Sequence, residues 1–184
     1  MARIIGIYGL VSGLVIIFGI ILTLLLGADH QSGPPSPLLG YLIMLVALST
    51  ILVGVKQYRD QTLGGVIKFT TGLMLGLGIA LVASIAYTLV WEVYLYLTHY
   101  SFMDHYIEAT LAARRAAGVT GPAYQQAVAE METMRRQYAN PLFRLPMTFT
   151  EIFPVGLLIS LVSAALLRNP RFLPARSRAA STGG

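Results

Sequence analysis

The sequence predicts an all-α polytopic membrane protein, with four transmembrane helices and a helical hairpin outside the bilayer. Four apolar runs, residues 4–26, 38–55, 69–90 and 147–167, each come close to the roughly 20 helical residues that cross about 30 Å of hydrocarbon. With 55% hydrophobic residues, 11% charged residues and a mean hydropathy of +0.68, little chain remains for a water-soluble domain. Lipid offers backbone amides no partner, so each run must be helical. Counting the flanks, the expected spans are about 4–26, 38–55, 66–97 and 147–167 within a single domain of residues 1–168.

The first run follows Met1-Ala2-Arg3 and has the flavour of a signal peptide. Its 23 apolar residues exceed the 7–15 of a cleavable signal, and no A-x-A site follows. It is expected to be a retained helix. Gly33-Pro34-Pro35-Ser36-Pro37 then makes a stiff turn that cannot be helical, and Pro37 suits the first turn of the second helix. The second run ends in a short polar connection, residues 56–65, closed by the helix-breaking Gly64-Gly65.

The third run continues beyond Val90 into Trp91, Tyr94, Tyr96 and Tyr100. Trp and Tyr concentrate at headgroup level, so this cluster marks an interface. Beyond it, residues 102–116 and 123–139 read as two helices joined by the turn Gly118-Val119-Thr120-Gly121-Pro122. Tyr124, Val128, Met131 and Tyr138 form an apolar stripe on the second arm, and Phe102, Tyr106 and Thr110 a weaker one on the first. Asn140-Pro141 ends the hairpin, because a residue before proline is pushed out of the α region. The fourth run carries Glu151 in its first turn and Pro154, a potential kink, inside it. The tail, residues 169–184, is rich in Arg, Ala, Ser, Gly and Pro and is expected to be disordered.

Charge orients the chain. Arg3, then Lys56, Arg59 and Lys68, then Arg168, Arg171, Arg176 and Arg178 fall at one end of the four runs. The positive-inside bias makes that end, and both termini, cytoplasmic. The net charge of +5 comes mostly from this end, where anionic lipid headgroups are the expected partner. Cysteine is absent, which removes disulfides, thiol catalysis and a lipoprotein anchor together. No basic face interleaved with aromatics points to nucleic acid.

Glu92 is the acid most open to a functional reading, since a carboxylate within hydrocarbon is costly. Counting outward from Phe69 sets it among the headgroups, where it is an interfacial carboxylate, part of a polar site shared with another helix, or a group that handles protons or ions. Glu151 is expected at similar depth with Arg144 just outside, so the three could form a small polar cluster; the plainer reading of Glu151 is an acid favouring a helix N-terminus. Gly72, Gly76, Ala80 and Ser84 are small residues four apart that admit a close helix neighbour, for which Gly9, Ser12 and Gly13 of the first run are a counterpart. That stripe serves packing within one bundle, or a homodimer seam or substrate groove. His99, Asp104 and His105 do not share one helical face, so a metal site is disfavoured. No catalytic triad, phosphate loop or paired acids appear, and no cofactor is expected.

Several segments together resemble a family: Ile7-Tyr8-Gly9-Leu10-Val11-Ser12-Gly13, Gly40-Tyr41-Leu42-Ile43-Met44, Gly54-Val55-Lys56-Gln57-Tyr58-Arg59-Asp60, Gly64-Gly65-Val66-Ile67-Lys68-Phe69 and Phe149-Thr150-Glu151-Ile152-Phe153-Pro154-Val155-Gly156-Leu157. They are similar to DUF4199, bacterial four-helix membrane proteins of unknown function. The resemblance covers about residues 4–167 and is most specific at Gly54, Lys56, Tyr58, Arg59, Asp60, Gly64, Gly65 and Phe69. It implies a multi-pass protein of a bacterial inner membrane and carries over no catalytic residue. It draws attention to Lys56, Tyr58, Arg59 and Asp60, which either set topology and pair among themselves or recognise an anionic lipid head or a partner protein. The expected function is a non-enzymatic accessory or scaffold subunit, as a homo-oligomer or with a membrane protein partner; the alternative is a small transporter or lipid-handling protein.

Overall fold

A computed structural model describes residues 1–26 and 37–175. The expected proline-dense turn and its Asp29 and His30, and the tail beyond residue 175 with Arg176 and Arg178, lie outside the described residues. Among those described there is no strand. The chain runs α1 (Ala2–Leu26), α2 (Pro37–Leu48), α3 (Thr50–Thr62), α4 (Phe69–Leu97), α5 (Phe102–Ala116), α6 (Gly121–Ala139) and α7 (Pro141–Leu167). Among the described residues four segments are long and apolar enough to cross a membrane: Ala2–Gly19 within α1, Leu38–Thr62 through α2 and α3, Phe69–Leu97 and Pro141–Leu167. Large apolar side chains such as Val46, Met74 and Leu158 are 62–67% exposed on the bundle's outside. Water would not tolerate such a surface; acyl chains require it. The protein is an all-α polytopic membrane protein.

Several boundaries differ from the sequence reading, and the third span begins at Phe69 and not at residue 66. The second span does not give way to a loop at Lys56 but stays helical to Thr62. Ser49 keeps αR angles between α2 and α3, and the Ser49 and Thr50 hydroxyls donate to the Val46 and Ala47 carbonyls at 2.6 and 2.8 Å, a back-bonding that bends a helix without ending it. Lys56 and Asp60, four apart, pair along the last turns. Gly64 and Gly65, at φ +66° and +94°, then end the helix, the Gly65 amide donating to the Arg59 carbonyl at 2.9 Å.

The fourth span begins at Pro141, not at residue 147. Asn140 closes α6 and caps α7, its side chain accepting from the Leu142 amide at 3.0 Å, and Pro141 sits where its missing N–H costs nothing. Pro146 and Pro154 are both carried inside α7. The tail also departs from expectation: residues 169–175 fold back over the end of the bundle, and Phe172 packs against the main core.

α4 is the spine. Its small-residue stripe meets α7, not α1, and the two helices run antiparallel in strict register. A Cβ added at Gly72 would lie 3.4 Å from Ala164 Cβ, one at Gly76 2.8 Å from Ser160 Cβ, and one at Gly156 2.7 Å from Ala80 Cβ. Each step of four along α4 matches a step of four backward along α7, the close crossing of small-xxx-small helices. On another face, α1 runs parallel to α4. A Cβ at Gly78 would meet Ile5, one at Gly9 would meet Val82, and one at Gly13 would lie 2.9 Å from Ala86 Cβ. A glycine on one helix receives a side chain of the other at each step. The third face of α4, Leu75, Ile79, Ala83 and Tyr87, joins Leu48, Ile51 and Val55 in the main core.

A second core forms where α5 and α6 fold over the bundle, around Leu95, Met103, Ile107, Met131 and Tyr138. On α6, Met131 and Tyr138 are buried with Ala127, while Tyr124 and Val128 are half-buried. On α5 the buried residues are Met103 and Ile107, one position round from the expected Phe102, Tyr106 and Thr110. The aromatics are long enough to reach this core from its flank, leaving its centre to slimmer side chains.

Candidate functional site

The polar residues collect at the two ends of the bundle. At the hairpin end, the first turn of α7 aims Arg144 at α4. Arg144 Nε donates to Glu92 Oε1 at 2.7 Å and Nη2 to Glu92 Oε2 at 2.6 Å, a bidentate pair. Nη1 donates to the Tyr138 carbonyl at 2.9 Å, so all three guanidinium nitrogens are engaged. Arg144 is 3% exposed and Glu92 24%. The Tyr100 and Tyr138 rings lie 5.2 and 5.7 Å from the guanidinium carbon. Trp91 donates its indole N–H to the Tyr138 hydroxyl at 2.7 Å and stacks between Tyr87 and Tyr94. Burial raises the Tyr138 phenol above its ordinary range, which keeps it a neutral hydroxyl.

Glu92 and Arg144 are thus brought together, whereas Glu151 is not. It lies seven residues beyond Arg144 on α7, about 10 Å deeper by helical rise, and is exposed without a hydrogen-bond or ion-pair partner among the described residues. The pairing of Glu92 with a residue 52 positions away has no local signal in the sequence; the antiparallel register of α4 and α7 makes it.

The corner that seats Tyr100 is strained. α4 closes with the Tyr100 amide donating to the Leu95 carbonyl and the His99 amide to the Tyr96 carbonyl, while His99 and Tyr100 take φ +52° and +59°. This is the Schellman closure, with histidine in the left-handed position that glycine usually holds. His99, Asp104 and His105 form no metal site, and no group of three metal-ligating side chains occurs among the described residues. Asp104 pairs instead with Arg135 of α6 at 2.8 Å. Between the hairpin and the bundle lies a cavity of about 290 Å³, floored by Leu95, Met103 and Tyr138 and reaching Asp104, Arg135 and Arg144.

At the opposite end, Asp60 bridges Lys56 and Arg59, with Arg59 Nε 2.7 Å from Asp60 Oδ1. Arg59 is wholly buried, and its Nη1 and Nη2 donate to the carbonyls of Phe172 and Leu173, the former at 2.9 Å. A headgroup could reach this guanidinium only by displacing the tail. Tyr58 packs partly buried against the main core, and Lys56 keeps the most solvent access of the group. Nearby, the Tyr8 hydroxyl donates to Gln57 Oε1 at 2.5 Å and Ser12 bonds to Thr50, so Ser12 of α1 ties to α3 and not to the stripe on α4.

The model of a family described as "Protein of unknown function (DUF4199)" matches residues 7–169. No curated protein and no solved structure matches the chain.

Proposed function

The chain belongs to the DUF4199 family, and from its geometry we propose that it is a non-enzymatic accessory or scaffold subunit of a bacterial inner membrane. One observation carries this reading: the strongest ionic groups are spent on holding the protein together. Glu92 and Arg144 consume one another between α4 and α7, and Arg59 is consumed by Asp60 and the tail. Groups so engaged act as latches; a catalytic acid or base needs a free valence toward substrate.

The orientation follows from charge. Arg3, Lys56, Lys68, Arg168 and Arg171 gather at the end away from the hairpin, which supports a cytoplasmic position for that end and both termini and an outer position for the hairpin. There Lys56 and its basic neighbours are suited to anionic lipid headgroups, and the outer helix faces to a second copy or another membrane protein. Reporter fusions after Arg178 and within residues 118–121 should report opposite sides. A subunit role is tested by extracting the chain from its host membrane into polymer-bounded lipid discs and measuring mass. A defined complex larger than one 19.9 kDa chain is expected; a lone monomer overturns the reading. The second reading, a small transporter or lipid-handling protein, draws its support from the cavity beneath the hairpin.

A further inference from the structure

The cavity beneath the hairpin sits at a defined depth. Its floor residue Leu95 is one turn beyond Trp91 on α4, and Trp91 and Tyr94 mark the level where headgroups lie. Next along the chain from the lining Pro141, Leu142 is 84% exposed and gives an apolar edge suited to acyl chains. At about 290 Å³ the cavity has the volume of about ten waters, room for a phospholipid headgroup but not for its chains.

The charges at the mouth select the headgroup. Arg144 adds little net charge at the mouth, since it is 3% exposed and its guanidinium is already balanced by the bidentate Glu92 carboxylate. What remains is one acid and one base, Asp104 and Arg135, 55% and 46% exposed and, among the described residues, paired with one another and, for Arg135, with Glu132. Exposed pairs of this kind hold together by about 1 kcal/mol or less and open at little cost. An anionic headgroup would meet a base already balanced by two acids. A zwitterion satisfies both sides at once. We propose that this cavity seats the headgroup of a zwitterionic phospholipid, its phosphate on Arg135 and its ammonium on Asp104, with the acyl chains leaving past Leu142. The site stands apart from the scaffold reading, because a seated lipid suits a scaffold and a lipid-handling protein alike.

Native mass spectrometry of the full chain, released from detergent after titration with phosphatidylethanolamine or phosphatidylglycerol of identical chains, tests this. One equivalent of phosphatidylethanolamine should be retained at least about threefold more than phosphatidylglycerol. Asp104→Asn, an exposed change, should remove that preference, whereas Glu130→Gln, in the hairpin pair Arg114–Glu130 away from the cavity, should keep it. Met103→Trp, which fills the floor, should remove the retained lipid altogether. Equal retention of the two lipids, or an unchanged preference in Asp104→Asn, overturns the proposal. So does competition by free O-phosphoethanolamine at the lipid's own concentration, since the acyl chains would then contribute nothing.

Discussion

Glu92 and Arg144 face one another across the α4–α7 seam in the same register that sets Gly76 on Ser160 and Ala80 on Gly156. The ion pair is the last rung of a ladder whose other rungs are small residues. Glu92→Gln should therefore destabilise the bundle, because a neutral amide leaves the buried guanidinium undercompensated. Breaking a fully buried pair costs about 3–5 kcal/mol, and the partial exposure of Glu92 reduces this to about 2 kcal/mol. Replacing both partners with Glu92→Gln and Arg144→Met should recover most of the loss. Reversible unfolding in bicelles against a denaturing detergent measures it, and a wild-type midpoint for Glu92→Gln would remove the pair from the account of stability.

The register itself can be trapped covalently. A Cβ at Gly72 falls 3.4 Å from that of Ala164, close to the roughly 3.5–4.5 Å of a disulfide. The chain contains no cysteine, so Gly72→Cys with Ala164→Cys has no background. Mild oxidation should close an intrachain bond, visible as a two-dalton loss by intact mass. The pair Gly72→Cys with Gly9→Cys should stay reduced, since Gly9 meets Val82 instead.

That second pair marks where the sequence stops being legible. Apolar runs and small-residue spacing reveal which faces of α4 admit close neighbours, but not which neighbour comes, because α1 and α7 both carry small residues at the same period. Glu92 could be placed near an interface by counting from Phe69, and Arg144 as lying just outside Glu151. Their bidentate contact depends on tertiary register, which no local pattern encodes. The extension of α7 back to Pro141 was hidden by Pro146, which reads as a helix boundary when tertiary packing is unseen. The ordered residues 169–175 were hidden by their composition: a polar, proline-bearing tail looks unstructured until a buried arginine receives its carbonyls.

The α4–α5 corner yields a stabilising substitution. His99 sits at φ +52° in the left-handed position after the C-cap, and Gly118 holds the equivalent place after α5 at φ +82°. His99→Gly should raise stability by about 1 kcal/mol by relieving the Cβ clash, and Gly118→Ala should lower it by a similar amount. Tyr100, at φ +59°, should not gain in the same way, because its ring stacks over Arg144. The same bicelle unfolding reads all three, and a loss on His99→Gly would show that the imidazole contributes more than the strain it causes.

The tail rests on Arg59. This side chain is wholly buried, gripped by Asp60 and donating to the carbonyls of Phe172 and Leu173, so it holds residues 169–175 against the end of α3. Arg59→Ala removes those donors while leaving the α4–α7 and α1–α4 seams untouched, so the bundle should remain folded and the tail should come free. Arg171 is exposed, and the peptide bond after it leads directly into the held Phe172 carbonyl. Hydrogen bonds from a charged donor are worth about 1.5–3 kcal/mol each, so losing them should speed trypsin cleavage after Arg171 by about tenfold or more. Arg59→Lys, which keeps the charge beside Asp60 but loses the fork, should fall between. Cleavage at that bond is followed by intact mass, separately from cuts at Arg176 and Arg178. Equal rates in wild type and Arg59→Ala would mean that the tail is held by Phe172 in the main core and not by the arginine.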